Sequence, residues 1–287
     1  MFGSGFARLG IRHEGFKNEG FERLGVEIIK TRDGSDTVFR DDLNEPYHSI
    51  FGAITESQYI FIDTGLRKAL ERFKSYELRV TSHDFSPGPY PASCIQHPTS
   101  NILHPVSPGN SLNILEIGFG TGLNALLAQV EAEKRGIKLC YTTLEAYPLR
   151  EEVWSQLNYP QQLCSAGYFP VFAKLHQCDW NSTEWISTHF SLHKILGEVQ
   201  DFIPEPGQYQ LVFFDAFGPE VQPELWTEKI FRIIFEGLAE GGILVTYSVK
   251  GTVVRALQAA GFITEKLPGP PGKRHILRAT KKHPGPE

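Results

Sequence analysis

The spacing of hydrophobic and polar positions changes twice along the chain. Residues 1–25 carry repeated Gly-Phe pairs (Gly5-Phe6, Gly15-Phe16, Gly20-Phe21) among mixed charges. They have no period of 2 or 3.6 and read as a disordered leader. From 26, "VEIIKTRDGSDTVF" alternates about Asp33-Gly34, the turn chemistry of a hairpin. "SQYIFIDTGL" then runs into the helical "LRKALERF", so 26–81 is expected to form a small N-terminal β/α unit. Residues 82–111, rich in Pro and Ser and without period, read as a linker or inserted surface loop.

Past 111 the pattern becomes regular. Apolar runs at 112–117, 138–145, 172–178, 210–215 and 242–249 predict strands. Helical stretches near 122–135, 148–158, 182–196, 223–239 and 251–260 separate or follow them. This alternation predicts a parallel sheet covered by helices on both faces. The end of the chain breaks the pattern. "FITEKLPGPPGKRHILRAT" reads strand, Pro-Gly turn, strand, and two strands joined so closely run antiparallel. Five parallel strands closed by an antiparallel hairpin, seven in all, differ from the dinucleotide-binding layout. They suit the Rossmann-like α/β fold of class I methyltransferases, here over 112–280.

Composition narrows the setting. Hydrophobic content of 41% and charged content of 21% are ordinary for a globular protein. No apolar run approaches the ~20 residues of a membrane span, and "MFGSGFARLG" lacks the apolar core of a signal peptide. A cytoplasmic protein without a membrane partner is expected. A net charge of −5 carries no overall nucleic-acid signature. From 266 on, however, Lys266, Lys273, Arg274, Arg278, Lys281 and Lys282 stand against Glu287 alone, a local bias that suits phosphate. Cys94, Cys140, Cys164 and Cys178 form no CxxC pair and lack metal-ligand spacing with histidine, so no metal is expected. Cys140 and Cys178 fall in predicted strands as buried thiols.

The chemistry centres on "NILEIGFGTGLNALLAQ", residues 113–129, a strand, glycine turn and amphipathic helix. A GxGxxG fingerprint needs glycine at 123, where Leu123 stands, and no Gly-Lys-Ser/Thr of a P-loop follows. What remains is Glu116 followed by Gly118, Gly120 and Gly122, glycines that allow a tight turn and close backbone approach to a ligand. An acid at this place repels pyrophosphate and suits a cation. S-adenosylmethionine carries a sulfonium and an ammonium, and its amino-acid end lies over such a turn. Three further acids follow at predicted strand ends. Glu145 is placed to accept the ribose hydroxyls, Asp179 to meet the adenine amino group, and Asp215 ends the fourth strand. One acid at a strand end is often a helix cap. Four in succession, at the rim where open α/β sheets bind ligands, point to a site.

These residues carry a resemblance. "EIGFGTGLNALL", "LEAYPL", "FFDAFGPEVQPELWTEKIF", "GGILVTYSVKGTVVRALQAAGF" and "GPPGKRHILRAT", with the upstream "YHSIFGAITESQYIFIDTGL", resemble the methyltransferase half of the MnmC-type tRNA-modification family over about 26–280. The resemblance implies methyl transfer from S-adenosylmethionine to the aminomethyl group on C5 of a wobble uridine, often 2-thiolated, giving 5-methylaminomethyl-uridine in tRNA. MnmC also carries a flavin-dependent oxidase domain that prepares the amine. No second glycine fingerprint occurs here, so no FAD is expected, and separate enzymes would make the aminomethyl intermediate.

Methyl transfer to an amine is an in-line displacement in which positioning does much of the work. The nucleophile must be neutral, whereas an alkyl amine has a pKa of roughly 10.4, so a nearby carboxylate that accepts its proton is needed. The resemblance puts Asp215 of "DAFGP" beside the methyl donor in that role. It also implies that Phe217 and Pro219 wall the pocket and that Tyr47 and His48 belong to a lid from the N-terminal unit. Lys273 and Arg274 on the last hairpin would contact tRNA phosphates. Trp226, at helical spacing in "PELWTEKIF", reads as core. Two other readings stay open: the same donor with a small-molecule amine or hydroxyl acceptor, and a non-catalytic binding module with this fold.

Overall fold

Alternate residues of three central strands enter two different apolar layers, which is what a sheet buried on both faces requires. Leu112 and Ile114, Leu211 and Phe213, and Ile243 and Val245 join one core cluster. Leu115 and Ile117, Val212 and Phe214, and Leu244 join the other. A computed structural model of the chain describes residues 25–72, 111–163 and 167–282. The expected leader and the Pro/Ser-rich segment lie outside the described residues, apart from Gly25 and Ser111 at their edges.

The chain begins with a three-stranded antiparallel sheet of β1 (Val26–Lys30), β2 (Asp36–Arg40) and β3 (Glu45–Pro46). The β1–β2 hairpin turns at Asp33-Gly34, with Gly34 at φ 84°. Helix α1 (Ala53–Ser57) continues in π-helical turns over Gln58–Leu66. Eight strands form the main sheet: β4 (Ser111–Ile117), β5 (Lys138–Glu145), β6 (Ser182–Ser187), β7 (Phe190–Leu196), β8 (Tyr209–Phe214), β9 (Leu238–Thr246), β10 (Phe262–Pro268) and β11 (His275–Lys281). Their order is β10-β11-β9-β8-β4-β5-β7-β6. Strands β7, β5, β4, β8 and β9 are parallel, and β11, β10 and β6 antiparallel to their neighbours. Chain order reverses between β4 and β8, the switch point at which α/β sheets open a crevice.

The helices on the first face are α1 with its π-helical continuation, α2 (Leu123–Arg135) and α3 (Tyr168–Gln177). On the second are α4 (Glu228–Gly237) and α5 (Gly251–Ala259). The N-terminal unit is thus built into the main core. Phe61 lies 5.2 Å from Phe213, and Gly65 sits so close that a Cβ there would be 2.9 Å from Val245. Among the described residues no helix is long and apolar enough to cross a membrane.

Two predicted elements are corrected. Residues 172–178 were expected as the third parallel strand and belong to helix α3, which buries Phe172 and Leu175 one turn apart. The predicted helix over 182–196 is the antiparallel pair β6–β7, with Phe190, Leu192 and Lys194 inward on alternate positions. The third parallel strand is therefore β7, and β6 adds an eighth strand to the seven expected. Cys178 is buried just past α3 and not in a strand, while Cys140 lies in β5 as expected but is only half-buried. Lys194, fully buried, donates to the His176 carbonyl at 2.6 Å and lies 4.5 Å from the Trp180 ring.

Candidate active site

At the carboxyl ends of β4, β5, β7 and β8 the sheet opens into a cavity of about 370 Å³, within the range that holds small ligands. Gly118, Gly120 and Gly122 have φ of 89°, 49° and 72°, the left-handed region that favours glycine. Each also admits a neighbour. A Cβ at 118 would lie 2.8 Å from the Asp215 carbonyl oxygen, and one at 120 would lie 2.8 Å from the Tyr47 ring. Gly118 thus draws the β4 and β8 rims together, and Gly120 lets Tyr47 lie over the turn. Gly122 faces His176 and serves packing; of the three, Gly118 and Gly120 line the cavity.

Glu145 lines the cavity at the end of β5. Its two oxygens accept the Gly120 and Tyr147 N–H groups at 2.9 and 2.8 Å, so the carboxylate is fixed while lone pairs remain for hydroxyl donors. Burial raises its pKa, and these backbone bonds oppose the rise. Asp215, one residue past β8, lines the same space. Its Oδ2 accepts from Asn124 Nδ2 at 2.8 Å. Burial pushes its pKa up to about 7, against the Asn124 bond and the Lys273 charge, with the Glu56 charge adding to the rise.

Two expected donor-site residues stand elsewhere. Glu116 is fully buried and is not part of the cavity lining. It shares the parity of Leu112 and Ile114, so its side chain enters the layer under α2, where Thr143 Oγ1 donates to Oε2 at 2.7 Å. Burial foremost, with the Asp215 charge, raises its pKa to about 8, and the Thr143 bond lowers it; the group is mostly neutral at pH 7. It therefore supports the turn from beneath and stands outside the cavity wall. Asp179 is exposed in the turn between α3 and β6 and does not line the cavity, because the third parallel strand is not where it was expected. The acid after that strand is Glu198, which lines the cavity and accepts from the Tyr147 hydroxyl at 3.3 Å. The signal was present in "KILGEV", hidden by reading the segment as helix.

The N-terminal unit supplies a whole wall, from Arg40 to Ser49. Tyr47 meets Phe217 edge-on at 4.8 Å, and both line the cavity. His48 lines it too, but its Nε2 is paired with Thr121 Oγ1 at 2.7 Å, and burial lowers its pKa to about 4. It is a neutral strut at pH 7. Trp226 is core as expected, and its indole N–H also donates to the Phe217 carbonyl at 2.7 Å, pinning the loop after β8. Lys273 lines the cavity, whereas Pro219 and Arg274 do not, Arg274 being exposed. Sequence reasoning missed Arg40, Glu45, Glu56 and Tyr247, which sit on elements whose place over the sheet only the tertiary fold decides.

The charge balance of the cavity sets the ligand class. Glu45, Glu56, Glu145, Glu198 and Asp215 face Arg40 and Lys273. Arg40 is already paired with Asp42, and Lys273 with Glu56. Such a cavity repels phosphates and fits a donor that carries a sulfonium and an ammonium.

Residues 170–282 match the family model described as S-adenosyl-L-methionine-dependent methyltransferase. Among relatives named tRNA 5-methylaminomethyl-2-thiouridine biosynthesis bifunctional protein MnmC, that of Hahella chejuensis is 31% identical over 173 residues, 56% of this chain and 27% of the relative. That of Aromatoleum aromaticum is 33% identical over 186 residues, 60% of this chain and 28% of the relative. The chain thus spans about a quarter of the length of these relatives. Of the solved structures, MNMC2 from Aquifex aeolicus is similar with a TM-score of 0.65 at 26% identity, covering 93% of this chain and 73% of that one. The sheet order and the glycine-turn cavity agree with these likenesses: residues 170–282 are similar to the S-adenosyl-L-methionine-dependent methyltransferase family, and the chain is similar to MnmC-type proteins.

Proposed function

We propose that the chain methylates the aminomethyl group on C5 of a wobble uridine in tRNA, the uridine being 2-thiolated in the relatives' named product. The observation that carries the reading is Asp215: an acid with a pKa of about 7, held by Asn124, in an otherwise carboxylate-rich cavity next to the glycine turn. Bound S-adenosylmethionine supplies an electrophilic methyl group on sulfur. Glu145 holds the ribose hydroxyls, and the Gly118–Gly120 backbone leaves room for the rest of the donor. Asp215 accepts a proton from the substrate ammonium, and its pKa near neutrality suits that task. Tyr47 and Phe217 wall the space in which a flat uracil ring is held. The partner is tRNA that carries the aminomethyl group.

The test is incubation with labelled S-adenosylmethionine and tRNA ending in the aminomethyl intermediate. The expected outcome is one methyl group per wobble uridine, recovered as the 5-methylaminomethyl nucleoside. Absence of transfer by folded, donor-binding protein would overturn the substrate assignment. The acid-rich lining also favours a second reading, a small-molecule amine as acceptor. That reading requires turnover with free alkyl diamines and indifference to tRNA.

A further inference from the structure

Glu56 belongs to α1 of the N-terminal unit, yet its side chain reaches the cavity beside Asp215, Tyr247 and Lys273. The residue is only 8% exposed. Its Oε2 accepts the Ser49 N–H at 2.8 Å, which fixes the carboxylate, while Oε1 has no hydrogen-bond partner. The cation nearest to it is Lys273, whose Nζ stands 3.3 Å from Oε1 and 4.7 Å from the Tyr247 ring centroid. That oxygen is thus balanced by charge and keeps lone pairs for a closer donor. A carboxylate oxygen and an aromatic face together form a site for an alkylammonium. The Tyr247 ring is anchored there by its hydroxyl, which donates to the Ala216 carbonyl at 2.9 Å.

We propose that Glu56 and the Tyr247 ring form the ammonium-recognising half of the acceptor subsite, in which Lys273 holds the place that the substrate's primary ammonium takes over. The inference rests on the methyl-acceptor reading above and specifies its acceptor as a primary alkylammonium. Glu56 holds the ammonium, and Asp215 removes its proton. The neutral nitrogen then forms the N–C bond as the S–C bond breaks, the electron pair passing to sulfur. Products are a secondary ammonium and a neutral thioether, and the proton on Asp215 returns to solvent. A hydroxyl acceptor can donate a hydrogen bond to Glu56 but gains no charge pairing, so this residue favours amine over alcohol.

Equilibrium binding of aminomethyl-tRNA and of the same tRNA with unmodified uridine gives a preference ratio from which general attraction to RNA cancels. Glu56→Gln keeps an acceptor for Ser49 N–H, and it is expected to lower this ratio about tenfold while the donor's Kd stays within twofold. Lys273→Met removes the competing cation and is expected to raise the ratio. A purely structural Glu56–Lys273 pair would lower it in both variants. A ratio unchanged by Glu56→Gln, or lowered by Lys273→Met, in protein that still binds donor overturns the inference and leaves the tRNA reading standing. A wild-type protein that neither prefers nor methylates aminomethyl-tRNA overturns both.

Discussion

Asn124 Nδ2 donates to Asp215 Oδ2 at 2.8 Å, so the first turn of α2 is tied directly to the acid after β8. The glycine turn and Asp215 are therefore one unit, fixed across the switch point of the sheet. This bond favours the carboxylate form of Asp215, against burial.

In the proposed role Asp215 takes the proton as its carboxylate, so the methyl-transfer rate is expected to rise with pH through about 7. Asn124→Ala removes a bond that lowers this pKa, so the rising limb moves to higher pH. Single-turnover rates between pH 5.5 and 9 check the shift, and a limb that stays in place or moves down contradicts the assignment.

Asp215→Asn keeps the shape and cannot accept the proton. The expected loss in single-turnover rate at pH 7.5 is about 10²–10⁴-fold, the usual worth of a general base. Donor affinity, measured by calorimetry, should change little.

Glu145→Gln retains one oxygen for backbone N–H and gives up the charge that strengthens hydroxyl contacts. Hydrogen bonds to a charged group contribute about 1.5–3 kcal/mol, so donor Kd is expected to rise roughly 10–100-fold. Titration calorimetry with S-adenosylmethionine reads this directly.

Glu116 affects stability rather than ligand charge. Its folded pKa, about 8, lies above the ordinary carboxylate value. Its contribution is therefore fully present below about pH 4.5 and is lost as pH rises to about 8. Glu116→Gln mimics the protonated acid and can still accept from Thr143. The variant should gain stability over the parent as pH rises, by on the order of a few kcal/mol at pH 9. Urea denaturation at pH 5, 7 and 9 measures the widening gap; a gap independent of pH would contradict it.

The regular half of the fold was legible because its signals are local. Strands β4, β5, β8 and β9 announce themselves as apolar runs, and the last hairpin by its Pro-Gly turn. The segment 168–196 misled for a physical reason. Helix α3 buries only one face against the sheet, and its short apolar run looks like a strand. Strand β7 carries Lys194 at an inward position, where its ammonium is satisfied by a carbonyl and an aromatic ring. A pattern that counts lysine as polar cannot see that position as core. Glu145 and Asp215 were readable from their strand ends. Glu56 and Tyr247 were not, since their place depends on α1 folding back across the main sheet.

The cavity wall runs from Arg40 to Lys273, and no contiguous stretch of chain contains it. During synthesis the Arg40–Ser49 wall emerges early, and Tyr247 and Lys273 emerge more than 190 residues later. The lining is therefore complete only when β11 has paired with β9, because the hairpin that β11 closes carries Lys273 into the cavity wall.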